Sequence, residues 1–157
     1  TLDDCGRKKR RSRRGERLLK LIEQHRAVLE PVEGCMVNFD IWPANIIVQR
    51  VASEIHLGWI DPERSFWGDK MLDFVCFAFH QPISSKPDVL AAYNDSSDMP
   101  VFLTREEQIS FRIGQGYLAL IMETEKHYRY SMFNYGWWRN VIACRLLYRA
   151  AFAVLMQ

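Results

Sequence analysis

The chain has 157 residues, with 21 Lys and Arg against 19 Asp and Glu, 48% hydrophobic and 25% charged side chains. That length suffices for one domain with its own core, and the balance is that of an ordinary globular protein. No run of about 18 apolar residues is present, which excludes a membrane-spanning helix in this sequence, and no secretory signal is visible at the start, because the opening is basic with no apolar stretch behind it.

Residues 1–15, TLDDCGRKKRRSRRG, read as a basic flexible lead, and 16–157 as the folded unit. Residues 1–30 hold ten basic and five acidic side chains, so the body is mildly acidic, with eleven against fourteen. Glu16 to Glu30 carries apolar residues at 18, 19, 21, 22, 28 and 29, a helix with one apolar face, stopped by Pro31. Val32 to Ala44 reads as a loop around a short extended piece. NIIVQ and EIHLGWI are β-rich runs placed as in a hairpin. Asp61 to Asp69 reads as a loop, Lys70 to His80 as an apolar helix ended near Pro82, and 82–103, with three prolines, as a long loop holding one helical turn. Thr104-x-x-Glu107 is a capping box that opens a helix to about Lys126. Its apolar positions 109, 113, 117, 120 and 121 share a face, and Gly114 and Gly116 weaken it while letting another element approach. The final stretch from Met132 is apolar on most sides and predicts a largely buried helix. The expected class is mainly α with a small antiparallel β-hairpin.

Cys5, Cys35, Cys76 and Cys144 form no C-x-x-C pair and have no His at ligand spacing. That fits reduced thiols in a cytoplasmic protein rather than a disulfide frame or a zinc site. His25, His56, His80 and His127 are scattered and predict surface or packing roles.

Polar residues converge at one place. Asp40 precedes the hairpin, Asn45 begins its first strand, and Asp61 follows its second. A hairpin returns its exit to its entry, so the three can face one spot. Two carboxylates and an amide oxygen make a hard, oxygen-rich site that suits Mg²⁺ shared with substrate phosphates. The competing reading is turn and cap chemistry, for which Asp and Asn are common.

Three motifs in order, NFDIWPAN (38–45), IDPE (60–63) and GDKMLD (68–73), resemble the H-G-D-x-x-x-x-N, I-D-(W/F)-E and G-D-P-x-x-D series of the aminoglycoside phosphotransferase and choline-kinase-like family, itself protein-kinase-like. The resemblance runs from about Leu18 to His80. It implies the C-terminal lobe of a kinase-like fold, an ATP or GTP phosphotransferase with Mg²⁺, and a small-molecule hydroxyl acceptor. It implies Asp40 as the catalytic base, Asn45 and Asp61 as metal and nucleotide-phosphate ligands, and Asp73 as a structural residue bonding back to the catalytic loop. Glu63 is placed near the metal or the acceptor. The sequence departs from the family at Asn38, where a scaffold His is usual, at Pro62 and at Lys70. A nucleotide-binding N-terminal lobe is not found in the 39 residues before Asp40, so it is expected as a missing partner, and the chain alone is expected to transfer phosphate weakly or not at all.

The acidic body suggests a cationic acceptor such as an aminoglycoside, met by Glu63, Asp95, Asp98, Glu123 and Glu125. Tyr128, Tyr130, Phe133, Tyr135, Trp137 and Trp138 either line an acceptor or cation cage or pack in the core. The alternative to an enzyme is a catalytically degenerate binding module, or a nucleic-acid-binding protein using the eight basic residues in positions 7–17. The same run also reads as a solvated surface segment.

Overall fold

In the computed structural model, which describes residues 12–157, the elements are α1 (Arg13–Gln24), α2 (Arg26–Leu29), β1 (Cys35–Val37), β2 (Ile46–Val51), β3 (Glu54–Trp59), β4 (Phe66–Gly68), α3 (Phe74–Ala78), α4 (Pro87–Ser96), α5 (Arg105–Arg129) and α6 (Tyr135–Leu155). Short 3-10 turns lie at Pro43–Asn45, Pro62–Arg64, Lys70–Asp73 and Ile83–Ser85. The described part is mainly helical with small antiparallel β pieces, and no described helix is long and apolar enough to cross a membrane. Cys5 and the basic residues Arg7 to Arg11 lie outside the described residues.

Helix α5 is the spine. Thr104 and Glu107 cap it reciprocally, each side chain accepting the other's backbone N–H. One flank takes α6, through Ala119, Leu147 and Tyr148 of the main core. The other flank takes α1, whose start is tied down by Ser12: its hydroxyl accepts from Gly15 N at 3.0 Å and donates to Glu123 Oε2 of α5 at 2.8 Å. The expected lead therefore ends earlier than read, because Ser12 is a helix cap. Both α5 glycines permit close approach. A Cβ on Gly116 would stand 2.6 Å from Leu18 of α1, and one on Gly114 would stand 2.6 Å from Leu72 and 2.7 Å from Val75.

Two pairs of strands form instead of one. The hairpin β2–β3 runs in register from Ile46 opposite Trp59 to Val51 opposite Glu54, closed tightly by Ala52 and Ser53. Ala52 has φ 54°, the left-handed conformation a two-residue hairpin turn requires. The second pair joins β1 to β4, Cys35 opposite Gly68 and Val37 opposite Phe66; β1 falls in the stretch expected to hold a short extended piece, whereas β4 lies in Asp61 to Asp69, expected to be a loop.

Three further expectations are corrected. Residues 70–80 split into a 3-10 turn and the short α3, because Asp69 caps the turn by accepting Met71 N at 2.9 Å. The long loop 82–103 contains the ten-residue α4, with Pro87 at its first turn and Asp88 beside it, where both are favourable. Asn94 then clamps the returning chain like a backbone unit, accepting from Val101 N at 2.8 Å and donating to Val101 O at 2.9 Å. Helix α6 is buried on one face only, through Ala143, Cys144, Leu147, Ala151 and Leu155, whereas Trp138 and Ile142 on the other side are more than half exposed. The aromatic group after α5 is also mostly outside the core, with Phe133 and Tyr135 exposed.

Gly114→Ala sets two effects against each other: about 1 kcal/mol of better helix propensity and about 1–3 kcal/mol of overpacking against Leu72 and buried Val75. The expected outcome is net destabilisation, read as a lower midpoint in chemical denaturation with an unchanged slope. A raised midpoint would refute this packing of α3 on α5.

Candidate functional site

The site grows from the end of β1. After Val37 the chain turns through Asn38 and Phe39, and both backbone N–H groups donate to Asp73 Oδ1, at 2.8 and 2.9 Å. Phe39 is held at φ 63°, a left-handed conformation that costs a bulky L-residue about 1–2 kcal/mol. Its ring is 1% exposed and packs on Phe66 and Tyr117, with centroids 5.9 and 5.4 Å away. Asp73 is desolvated by this packing, which raises its pKa above the ordinary carboxyl value despite the two N–H donors that oppose the shift. Asn38 Oδ1 is buried with no hydrogen-bond partner among the described residues.

The strained turn delivers Asp40 to the base of the β2–β3 hairpin. Asn45, 8% exposed, donates its amide N–H to Asp40 Oδ2 at 3.2 Å and to Asp40 O at 3.1 Å. A planar amide whose nitrogen faces Asp40 turns its oxygen the other way. Ile60 N donates to Asn45 O at 3.0 Å, so Asp61 follows directly on the residue paired to Asn45. Asp61 is exposed and also left-handed, at φ 62°. The structure thus joins Asp40 and Asn45 by direct bonds and brings the backbone of Asp61 beside them, while the Asp61 carboxylate makes no hydrogen bond to either. Among the described residues no group of three or more His, Cys, Asp or Glu could hold a metal ion. A cation here would rest on the amide oxygen of Asn45 and the carboxylate of Asp61, with water or phosphate completing its shell. The donors fit Mg²⁺, which commonly keeps few protein ligands.

Two adjoining clefts open at this turn, one walled by Asp40 and the other by Phe39. One, of about 430 Å³, has Asp40, Cys76, Trp42, Phe79 and Met122 in its wall, together with Arg64, Arg129, Arg139 and Asn140. The other, of about 650 Å³, holds Glu63 with Phe66, Tyr117 and Tyr128. They share Arg64, Glu125 and Arg129. Glu125 is paired to Arg64 at 2.5 Å and to Arg129 at 3.7 Å. Of the expected acceptor carboxylates, Glu63 and Glu125 line a cleft. Glu123 is bonded to Ser12 and Tyr148, and neither Asp95, in α4, nor Asp98, just beyond its end, lines either cleft. Sequence reasoning missed Arg64, Arg129, Arg139, Asn140 and Cys76. Only the Glu125–Arg129 pair had a local signal, its helical spacing of four.

Cys76 lies with its Sγ 3.7 Å from Asp40 Oδ1. Burial first, then the Asp40 charge, pushes its thiol pKa up to about 12. The thiolate is the reactive form. At pH 8, alkylation of Cys76 should therefore be slowed by about a thousandfold relative to an ordinary thiol, and Asp40→Asn should quicken it several-fold without unfolding the protein. Peptide mass spectrometry after timed iodoacetamide treatment reads both, and identical rates in wild type and Asp40→Asn would show that the two groups do not touch.

No protein-family model, curated protein or solved structure matches the chain.

Proposed function

We propose that this chain carries the catalytic half of a phosphotransferase, equivalent to the C-terminal lobe of a kinase-like fold, that moves the γ-phosphate of ATP or GTP to a hydroxyl of a small molecule. The observation that carries the reading is the joint placement of Asp40, Asn45 and Asp61 around one hairpin base, with Asp73 holding the strained turn that aims Asp40. Two of the five left-handed non-glycine residues among those described, Phe39 and Asp61, flank this group, and a left-handed Phe is a costly conformation of the kind found at sites built for positioning.

In this reading Asp40 accepts the acceptor hydroxyl's proton and aligns its oxygen for attack. The N–H donated by Asn45 fixes the carboxylate's rotamer, which supplies orientation. Asn45 and Asp61 would hold the Mg²⁺, which when bound neutralises charge on the nucleotide phosphates. Arg64 and Glu125 fix each other at the cleft edge. In the encoded polypeptide, with any upstream segment included, Asp40→Ala should lower turnover by about 10²–10⁴-fold with the melting temperature little changed. Turnover near wild type would rule out the assigned role. With Mn²⁺ as probe, Asn45→Ala together with Asp61→Ala should abolish the enhanced water-proton relaxation of the bound ion.

A binding module is the second reading, supported by a groove of about 430 Å³ whose wall includes Arg13, Arg14, Arg17, Arg145 and Arg149. The arginines come from α1 and α6, and the sequence places five more basic residues just before α1. Arg14 and Arg17 lie over Tyr148 and Phe152, 5.7 and 5.0 Å from the ring centroids. If this groove carries the function, a single-stranded RNA oligonucleotide should bind with strong salt dependence. Arg145→Ala with Arg149→Ala should then lower the log–log salt slope by about 0.7 for each phosphate left without its arginine. A slope near zero would remove this reading.

A further inference from the structure

We propose that the cleft beside Asp40 receives an alcohol that carries an oxyanion, with Arg139 and Asn140 reading the anionic group; this rests on the phosphotransfer reading of Asp40. Three observations support it.

Asn140 is 3% exposed and lines this cleft, yet its side chain makes no hydrogen bond among the described residues. Of the side chains buried as deeply, Asn45 bonds to Asp40, Ser110 to Asp69, Gln115 to the carbonyls of Phe79 and Gln81, and Thr124 to that of Leu120, while the less deeply buried Asn38 has an Oδ1 that is also without a partner. The Asn140 amide is not sealed off, since among the described residues only Asn38 Oδ1 is fully occluded without a partner; it opens to the cleft whose wall it forms, where a ligand would supply the bonds the protein does not.

The charge balance of the cleft is cationic. Arg64, Arg129 and Arg139 face it against Asp40 and Glu125. Glu125 is consumed by Arg64 and Arg129. Arg139 makes no hydrogen bond or ion pair among the described residues, so the guanidinium next in sequence to Asn140 is the uncompensated one. Beyond Asp40, no unpaired carboxylate faces the cleft. A polyamine such as an aminoglycoside would set its ammonium groups against arginine.

The two halves of the reaction are also kept apart. Asn45 and Asp61 are not in the wall of this cleft, whereas Asp40 is. Asp40 therefore stands between a phosphate-and-metal side and a pocket of about 430 Å³, which suits a small ligand. An oxyanion held at Arg139 and Asn140 would orient the rest of the molecule, and its hydroxyl, toward Asp40.

The test uses the full chain and four probes observed by ligand-detected NMR and calorimetry: glycerate and glycerol 3-phosphate as carboxylate and phosphate alcohols, choline and kanamycin as cationic ones. Glycerate or glycerol 3-phosphate should bind, the tighter one naming the oxyanion, and neither cation should compete. Arg139→Ala, on an exposed side chain, should weaken that binding by about tenfold or more. Asn140→Asp, nearly the same shape but negative, should weaken it at least as much, with the fold checked by circular dichroism. Tighter binding of choline or kanamycin, anion binding indifferent to both variants, or binding of none of the four would overturn the assignment. Mn²⁺ relaxation separates this from the parent reading. Lost anion selectivity with Mn²⁺ still bound sinks only the acceptor assignment, while Arg139-dependent anion binding without any Mn²⁺ site sinks the phosphotransfer reading.

Discussion

One carboxylate oxygen, Asp73 Oδ1, accepts the backbone N–H of Asn38 and of Phe39. Those two donors belong to a turn that has left β1 and reached no other ladder, so without Asp73 they would be buried and unpaired. The bond pair does more than satisfy them. It holds Phe39 in a left-handed conformation, seats its ring between Phe66 and Tyr117, and so directs the next residue, Asp40, toward Asn45 and the clefts. Asp73 stays in place because the 3-10 turn preceding α3 is itself pinned. Asp69 caps it and accepts from Ser110 of α5, and Lys70 pairs with Glu107 at 3.1 Å. A line of local bonds thus runs from α5 through Asp69 and Asp73 to Asp40.

Helix α5 supplies the reference frame for all of this. Its two glycines let α1 and α3 come within side-chain contact of its backbone from different sides, and Gln115 reaches the carbonyls of Phe79 and Gln81, fixing the left-handed turn that ends α3. Arg112 completes the amide's bonding by donating to Gln115 Oε1 at 2.8 Å. Partial burial of that guanidinium lowers its pKa.

What could be read from the sequence was local or tied to spacing. The Thr104–Glu107 capping box needs only four residues, and the α5 glycines announce close contact by what they lack. The hairpin follows from two β-rich runs, and with it the neighbourhood of Asn45 and Asp61. What could not be read depended on partners far away in sequence. Pro87 looks like a helix breaker until it is seen at a first turn, where its missing N–H costs nothing, so α4 was hidden inside a loop. Phe66 to Gly68 is too short to declare itself a strand without Cys35 to Val37 opposite. The apolar count of α6 suggested burial all round, but only the face that meets α5 and α1 is covered. The electrostatic character of the cleft was the least legible feature. Net charge over the body is acidic, while Arg64, Arg129, Arg139 and Asn140 come from three separate segments and meet only after folding.

The β2–β3 ribbon stands apart from this well-braced frame. Ile47, Val48, Ile55, Leu57 and Trp59 are each about half exposed, on both sides of the ribbon, and a lone two-stranded ribbon is marginally stable in water. Yet Asn45 sits at its entry and Asp61 just past its exit. The order of these two side chains is therefore thermodynamically linked to the stiffness of the ribbon. If a cation binds at its root as proposed, anything that stiffens the ribbon would raise that affinity by some factor, and the cation would stiffen the ribbon by the same factor in return.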